Sequence, residues 1–263
     1  MCQSIEEGGR RCRRRTHLER LTYSDLAPVS QDDRPEVAWG EDEADGAKLY
    51  AEYPPGIAGE AIALVAEAQV REKATTDALI RVSAEVPDCR LAGLEWRMKS
   101  PRSLARKLDK KSWMYRSPDL ASLARVGATV TDLLRYTVVS RRHERLGSSV
   151  VAVVRALEQQ GLHLREAESM YVEGNPYKGF HLLVEDTAGN LSEVQVHSEL
   201  SLAIKEKAHP LYEVSRDGNR SRSERRDADR QLRKLYAGVP TPSDLPAELG
   251  KVKVKTKEYP CLR

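Results

Sequence analysis

Two stretches rich in β-formers, residues 180–186 and 191–197, are separated only by Thr187-Ala188-Gly189-Asn190. Gly and Asn suit the backbone of a tight turn, so this spacing predicts an antiparallel hairpin. The hairpin restricts the fold more than any other stretch, because helical and extended patterns alternate around it. Residues 57–84 read as a helix, with Ile62, Val65, Val70, Leu79 and Ile80 spaced for one face. Leu91 to Arg97 reads as a short strand. Ser100-Pro101 then opens a helix, with Ser as cap and Pro in the first turn. Residues 129–139 are rich in β-branched side chains and read as a buried strand. A helix covers Ser148 to Gln160 and stops at Gly161. Residues 198–237 read as mainly helical, with a break near Pro210. Interleaved helices and strands with one antiparallel hairpin predict an α+β fold, a mixed β-sheet flanked by helices.

The charge is sorted along the chain. A net charge of +3, from 43 Lys and Arg against 40 Asp and Glu, hides the sorting. Residues 31–46 carry seven acids and one base, Arg34, and read as a linker or tail. Residues 97–116 carry eight bases (Arg97, Lys99, Arg102, Arg106, Lys107, Lys110, Lys111 and Arg116) and one acid, Asp109. Such a run is either an anion-binding footprint or a solvated helix face. Bases return at Arg220, Arg222, Arg225, Arg226 and from Lys251 to Lys257. The organisation read from this is an N-terminal tail with the acidic segment (1–50), one domain (51–240) and a basic C-terminal tail (241–263). No apolar run approaches the roughly 20 residues that span a bilayer, and the N-terminus has no apolar signal-peptide core. Cys2, Cys12, Cys89 and Cys261 form no Cys-x-x-Cys pair. The expectation is a cytoplasmic protein with reduced thiols, no zinc site and no membrane partner. Walker A and Gly-x-Gly-x-x-Gly loops are both absent.

Four short pieces carry chemistry. In Arg97-x-Lys99-x-x-x-Ser103-x-x-x-Lys107, Ser103 and Lys107 share a helix face, and Arg97 and Lys99 alternate on a strand end. Three cations and a hydroxyl suit a polyphosphate; a solvated basic helix would look the same. Asp132 stands in the apolar run with Arg135 three residues on, a charged pair that must bind something or pair internally. A Mg2+ ion would accept such a carboxylate. Asn175-Pro176-Tyr177-Lys178-Gly179-Phe180-His181 is a loop entering a strand, either an ordinary turn or a place where Tyr177 stacks on a nucleobase. Glu193, Gln195 and His197 alternate with Val194 and Val196, so three polar side chains share a sheet face. They are either solvent-facing, or Glu193 joins Asp132 as a carboxylate pair around one metal.

Taken in order, Arg-x-Lys-x-x-x-Ser-x-x-x-Lys, Asp-x-x-Arg, Tyr-x-Gly-x-His and Glu-x-Gln resemble the RelA/SpoT synthetase family over roughly residues 60–215. The resemblance implies a nucleotidyltransferase-like mixed sheet wrapped by helices. It implies transfer of pyrophosphate from ATP, with Mg2+, to a ribose 3′-hydroxyl, usually of GDP or GTP. Carried onto matching positions, it implies that Arg97 packs on adenine and meets phosphate, and that Lys99, Ser103 and Lys107 hold the ATP phosphates with Lys110 close behind. Arg135 joins that ATP-binding group. Asp132 would bind Mg2+, and Glu193 would bind Mg2+ or take the proton from the attacking hydroxyl. Tyr177 would stack on the acceptor base, His181 and Gln195 would orient the acceptor, and Lys178 and Gly179 belong to the same acceptor loop. His209 and Tyr212 also resemble the family's His and Tyr beyond the Glu-x-Gln strand.

Two positions depart from the pattern. Asp132 and Arg135 are three apart where many members have five, and Val196-His197-Ser198 follows Gln195 where many continue x-Arg-Thr. No His-Asp hydrolase motif precedes the region, so synthesis without hydrolysis is expected. Three readings follow: an alarmone synthetase acting on guanine or adenine nucleotides, a toxin that pyrophosphorylates the 3′ end of tRNA, and a catalytically silent nucleotide-binding sensor. The basic stretches at 97–116, 216–234 and 251–257 would suit an RNA backbone. An antitoxin protein and a homo-oligomer both stay open as partners.

Overall fold

The computed structural model describes residues 34–39, 46–112 and 120–257. Cys2, Cys12, Arg116, Cys261 and most of the acidic segment lie outside the described residues. In chain order the helices and strands are α1 (Gly46–Glu52), α2 (Pro55–Glu85), β1 (Cys89–Ala92), α3 (Pro101–Ser112), α4 (Leu120–Ala128), β2 (Arg135–Ser140), α5 (Leu146–Gln159), β3 (His163–Ser169), β4 (Phe180–Glu185), β5 (Leu191–Ser198), α6 (Glu199–Arg216), α7 (Arg222–Ala237), β6 (Glu248–Leu249) and β7 (Val252–Thr256). Two compact units result. Among the described residues, the first takes those up to Ala74 and those within Glu95–Leu134, and the second takes Thr75–Leu94 and those from Arg135 to Lys257.

The first unit is helical. Ile57, Ala61, Ile62, Val65 and Ala68 of α2 recur at helical spacing and are buried, as are Leu104, Ala105 and Leu108 of α3. Helix α4 approaches α2 closely at Gly127, where a Cβ would stand 2.9 Å from Glu60 Oε1 and 3.1 Å from a Leu64 methyl. Ser100 caps α3, its Oγ accepting a hydrogen bond from the Ser103 amide at 3.1 Å.

The second unit holds, among the described residues, a seven-stranded mixed sheet in the order β1-β2-β5-β4-β3-β7-β6. The β4–β5 hairpin is antiparallel, β2 runs parallel to β5, and β7 runs parallel to β3. Tyr136, Val138, Val194, Val196, Phe180, Leu182 and Val184 make one buried apolar face. The other face aligns Arg135 with Glu193, and His181 with Gln195. Ser198 ends β5 and caps α6, exchanging hydrogen bonds with Ser201 in a capping box.

Several expectations are corrected. The strand expected over Leu91–Arg97 is Cys89–Ala92; the chain turns at Gly93, with φ 62°, and continues in a short 3-10 turn at Leu94–Trp96. The strand expected over 129–139 begins at Arg135, because Thr129 and Val130 close the end of α4 on Val126 and Gly127 carbonyls. Asp132 is therefore in a loop and not inside a strand. Helix α2 buries Ile62, Val65 and Leu79, but Val70 and Ile80 are exposed and lie off that face. Pro210 sits inside a continuous α6, and the break falls at Asp217, ahead of the Ser221 capping box of α7. Strand β3 went unread because a register shift between Leu164 and Glu166 breaks the two-residue alternation. Residues 252–256, read as tail, form β7, with Val254 paired to Ala167. No helix among the described residues is long and apolar enough to cross a membrane.

Candidate functional site

In the first unit, Asp132 lies between two lysines. Lys99 Nζ donates to Asp132 Oδ2 at 2.9 Å, and Lys107 Nζ donates to Oδ1 at 2.7 Å. Two local features make this possible. Lys99 is held beside the Asp132 loop by the hydrogen bond its backbone N–H donates to the Leu133 carbonyl at 3.0 Å. Lys107 stands on α3 at the edge of the stripe that buries Leu104 and Leu108, and is half-buried. Burial would raise the Asp132 carboxyl, but Lys99 and Lys107 outweigh it and hold the group well below the ordinary carboxylate range. The side chains of Lys99 and Lys107 remain 17% and 31% exposed. Ser103 is half-buried one turn before Lys107, and Lys110 is exposed one turn after it.

Arg97 has gone elsewhere. It is buried, its Nε donating to Glu72 Oε1 at 2.6 Å and its Nη1 to the Pro35 carbonyl at 2.8 Å. Its guanidinium is engaged in the core of the first unit and is not presented to a ligand.

In the second unit, the polar face of β5 carries a second set. Lys205 of α6 donates to Gln195 Oε1 at 2.8 Å, and Gln195 Nε2 donates to Glu193 Oε1 at 2.5 Å. Both ends of the Gln195 amide are thus used within the protein. Burial, then Arg135, pulls the Lys205 ammonium down to about 8. Arg135 is exposed on β2, in register with Glu193.

The Tyr177 hydroxyl lies 3.0 Å from His181 Nε2 and 2.8 Å from His197 Nε2, with both imidazoles edge-on to its ring. Tyr236 of α7 packs at 6.2 Å from the same ring. Burial raises the Tyr177 phenol and lowers both imidazoles. The His197 ring lies against Gly179, where a Cβ would come within 2.7 Å of Cε1. From the far nitrogen of His197, hydrogen bonds continue through Ser201 Oγ at 3.2 Å and Ser198 Oγ to His143 Nδ1 at 2.7 Å. Lys178 is buried and donates to the Val172 carbonyl of its own loop. His209 and Tyr212 are exposed on α6, and Tyr212 accepts a hydrogen bond from Arg216 at 3.2 Å.

The expected residues therefore assemble as two sets. Lys99, Lys107 and Asp132 meet in the first unit; Glu193, Gln195, Tyr177 and His181 gather in the second, with Arg135 in register beside Glu193. Lys205 was missed by sequence reasoning, since it comes from the helix after the motif; the one available signal was its place two turns beyond the Ser198 cap. The Mg2+ expectation meets a particular donor set. Both oxygens of Asp132 are held by ammonium groups, and the trio is net positive. Among the described residues no group of three or more His, Cys, Asp and Glu could hold a metal ion. As arranged, this cluster fits an anion and not a resident Mg2+.

No protein-family model matches the chain, and no curated protein matches it. Solved structures of similar fold do. The type VI effector Tas1, in complex with its immunity protein, is 18% identical, with a TM-score of 0.37 over 70% of this chain and 94% of that one. Small alarmone synthetase 1 from Bacillus subtilis, bound to its product pppGpp, is 14% identical, with a TM-score of 0.42 over 65% and 88%. Small alarmone synthetase 2 from Bacillus subtilis is 15% identical, with a TM-score of 0.45 over 66% and 88%.

Proposed function

We propose that this chain is an ATP-dependent pyrophosphokinase whose acceptor is the 3′-hydroxyl of a purine nucleotide, GDP or GTP or an adenine nucleotide. In that reaction the acceptor oxygen bonds to the β-phosphorus of ATP. The bond from that phosphorus to the oxygen bridging the α-phosphate breaks, AMP leaves, and the hydroxyl proton passes to Glu193.

The observation that carries this reading is the Lys99–Asp132–Lys107 cluster. A single carboxylate holds two partly exposed ammonium groups in one place. A triphosphate carries more negative charge than Asp132 and can draw both lysines to itself, so the cations are preassembled for a polyphosphate. The second unit supports the acceptor side of the reading, with a carboxylate oriented by hydrogen bonding and a tyrosine ring held by two histidines.

The test is to incubate the protein with β-labelled ATP and Mg2+, offering GDP, GTP, AMP, ADP and deacylated tRNA separately. Label on a purine nucleotide is the expected result. Label on tRNA alone would replace the acceptor with the 3′ end of an RNA. Label on none of them, from a folded protein that still binds ATP, would overturn the enzyme reading in favour of a nucleotide-binding sensor.

A further inference from the structure

We propose that Lys205 is a positioning residue of this site, which fixes the Glu193 carboxylate through the side-chain amide of Gln195. The inference rests on Glu193 being the proton acceptor proposed above.

The chemistry leaves one arrangement for the three groups. A lysine ammonium only donates, so the amide end it meets at 2.8 Å must be the Gln195 oxygen. The amide nitrogen is then turned toward Glu193, and it donates to the carboxylate at 2.5 Å. The Glu193 carboxylate accepts only and so selects the amide nitrogen, while Lys205 holds the oxygen end, so the amide is pinned from both sides. An amide turned the other way would put its oxygen against the carboxylate. Gln195 is buried, so its oxygen cannot recover a partner from bulk water without moving.

The scaffold is suited to carry such a contact. Lys205 is placed by the capping box at Ser198 and Ser201, which sets the start of α6 directly after β5. Two helical turns later its ammonium returns over the strand that holds Glu193 and Gln195. A rigid strand-to-helix junction therefore connects the positioning group to the one positioned. Among the described residues no such bridge holds Arg135, which sits exposed in register with Glu193. Lys205 is half-buried, so its stem is packed as well as its charge being used.

The test compares Lys205→Met, Lys205→Arg and Gln195→Leu with the wild type. The expected result is a fall in kcat of at least tenfold in Lys205→Met, with KM for ATP within about twofold. Lys205→Arg should recover most of the loss, and Lys205→Met combined with Gln195→Leu should be little worse than either alone. Equal kcat in Lys205→Met and wild type would overturn the proposal while leaving the pyrophosphokinase reading intact. A second readout needs no activity: hydrogen exchange of the Gln195 side-chain amide by NMR. Slow exchange in the wild type that becomes fast in Lys205→Met supports the positioning contact, even where no acceptor takes label and the functional reading has failed. Unchanged exchange overturns it. Where Lys205→Met does not fold, Lys205→Leu, which likewise has no donor, serves for both measurements.

Discussion

The Tyr177 hydroxyl lies 2.8 Å from His197 Nε2, and a second imidazole, His181, closes on the same oxygen at 3.0 Å. A phenol has one proton, so it donates to one ring and accepts from the other. Tyr177→Phe keeps the aromatic ring and strands two imidazole nitrogens in a buried setting. The expected loss is about 1–3 kcal/mol of stability, read as a lower urea midpoint. Because the ring survives, KM for the acceptor should stay close to wild type in Tyr177→Phe and rise sharply in Tyr177→Ala. A Phe variant as stable as the wild type would show that the hydroxyl is not held as described.

Gly179 is required by its neighbour and not by its own backbone. A Cβ there would stand 2.7 Å from His197 Cε1 and 3.0 Å from Nδ1, and the His197 ring is fully buried. Gly179→Ala should cost about 1–3 kcal/mol, as overpacking of a close-packed site does. His197→Ser in the same chain should give part of that back, since it removes the ring the methyl meets. Denaturation midpoints of the single and double variants make the comparison; additive losses would contradict it.

Arg97 separates a nucleotide contact from a core ion pair. With Glu72 Oε1 at 2.6 Å and only 1% of the arginine exposed, Arg97→Met leaves a buried carboxylate with its nearest cation removed. The expected cost is about 3 kcal/mol or more, while the pyrophosphate affinity of folded protein stays near wild type. A stable variant with weakened pyrophosphate binding would return Arg97 to the ligand.

What could be read along the chain was what neighbouring residues decide. The β4–β5 hairpin was legible because Asp186 closes its own turn, accepting hydrogen bonds from the Ala188 and Asn190 amides. The cap at Ser100 was legible for the same reason. Strand β3 was hidden by its register shift, and α6 continues through Pro210 from Glu199 to Arg216. The site divides in the same way. Lys99 and Lys107 carried a readable spacing, and Glu193 and Gln195 a readable face. The partners that give these groups their chemistry were not readable. Glu72 is 25 residues from Arg97, Asp132 is 25 from Lys107, and Lys205 reaches back ten residues to Gln195 from the next helix. Contacts of that kind are set by how elements pack, which no local periodicity records.

Asp132 supplies a prediction in which stability and ligand affinity move in opposite directions. Burial raises its pKa, Lys99 and Lys107 lower it by more, and the carboxyl ends well below the ordinary carboxylate range. A carboxyl lowered on folding stabilises the folded state fully above its unfolded pKa, here about 4, and loses that contribution as pH falls below it. Asp132→Asn removes the contribution and leaves two ammonium groups close together without their counter-charge. At pH 7 the variant should therefore unfold at a lower temperature than the wild type. Between pH 6 and pH 2 its stability should fall less steeply, because one acid-sensitive pair is gone. The same change frees Lys99 and Lys107 for an incoming anion, so inorganic pyrophosphate should bind more tightly and raise the unfolding temperature more in Asp132→Asn than in wild type. Mg2+ alone should move neither protein, since the cluster is already net positive. Weaker pyrophosphate binding in Asp132→Asn would mean that the carboxylate helps to hold the anion and does not compete with it for the two lysines.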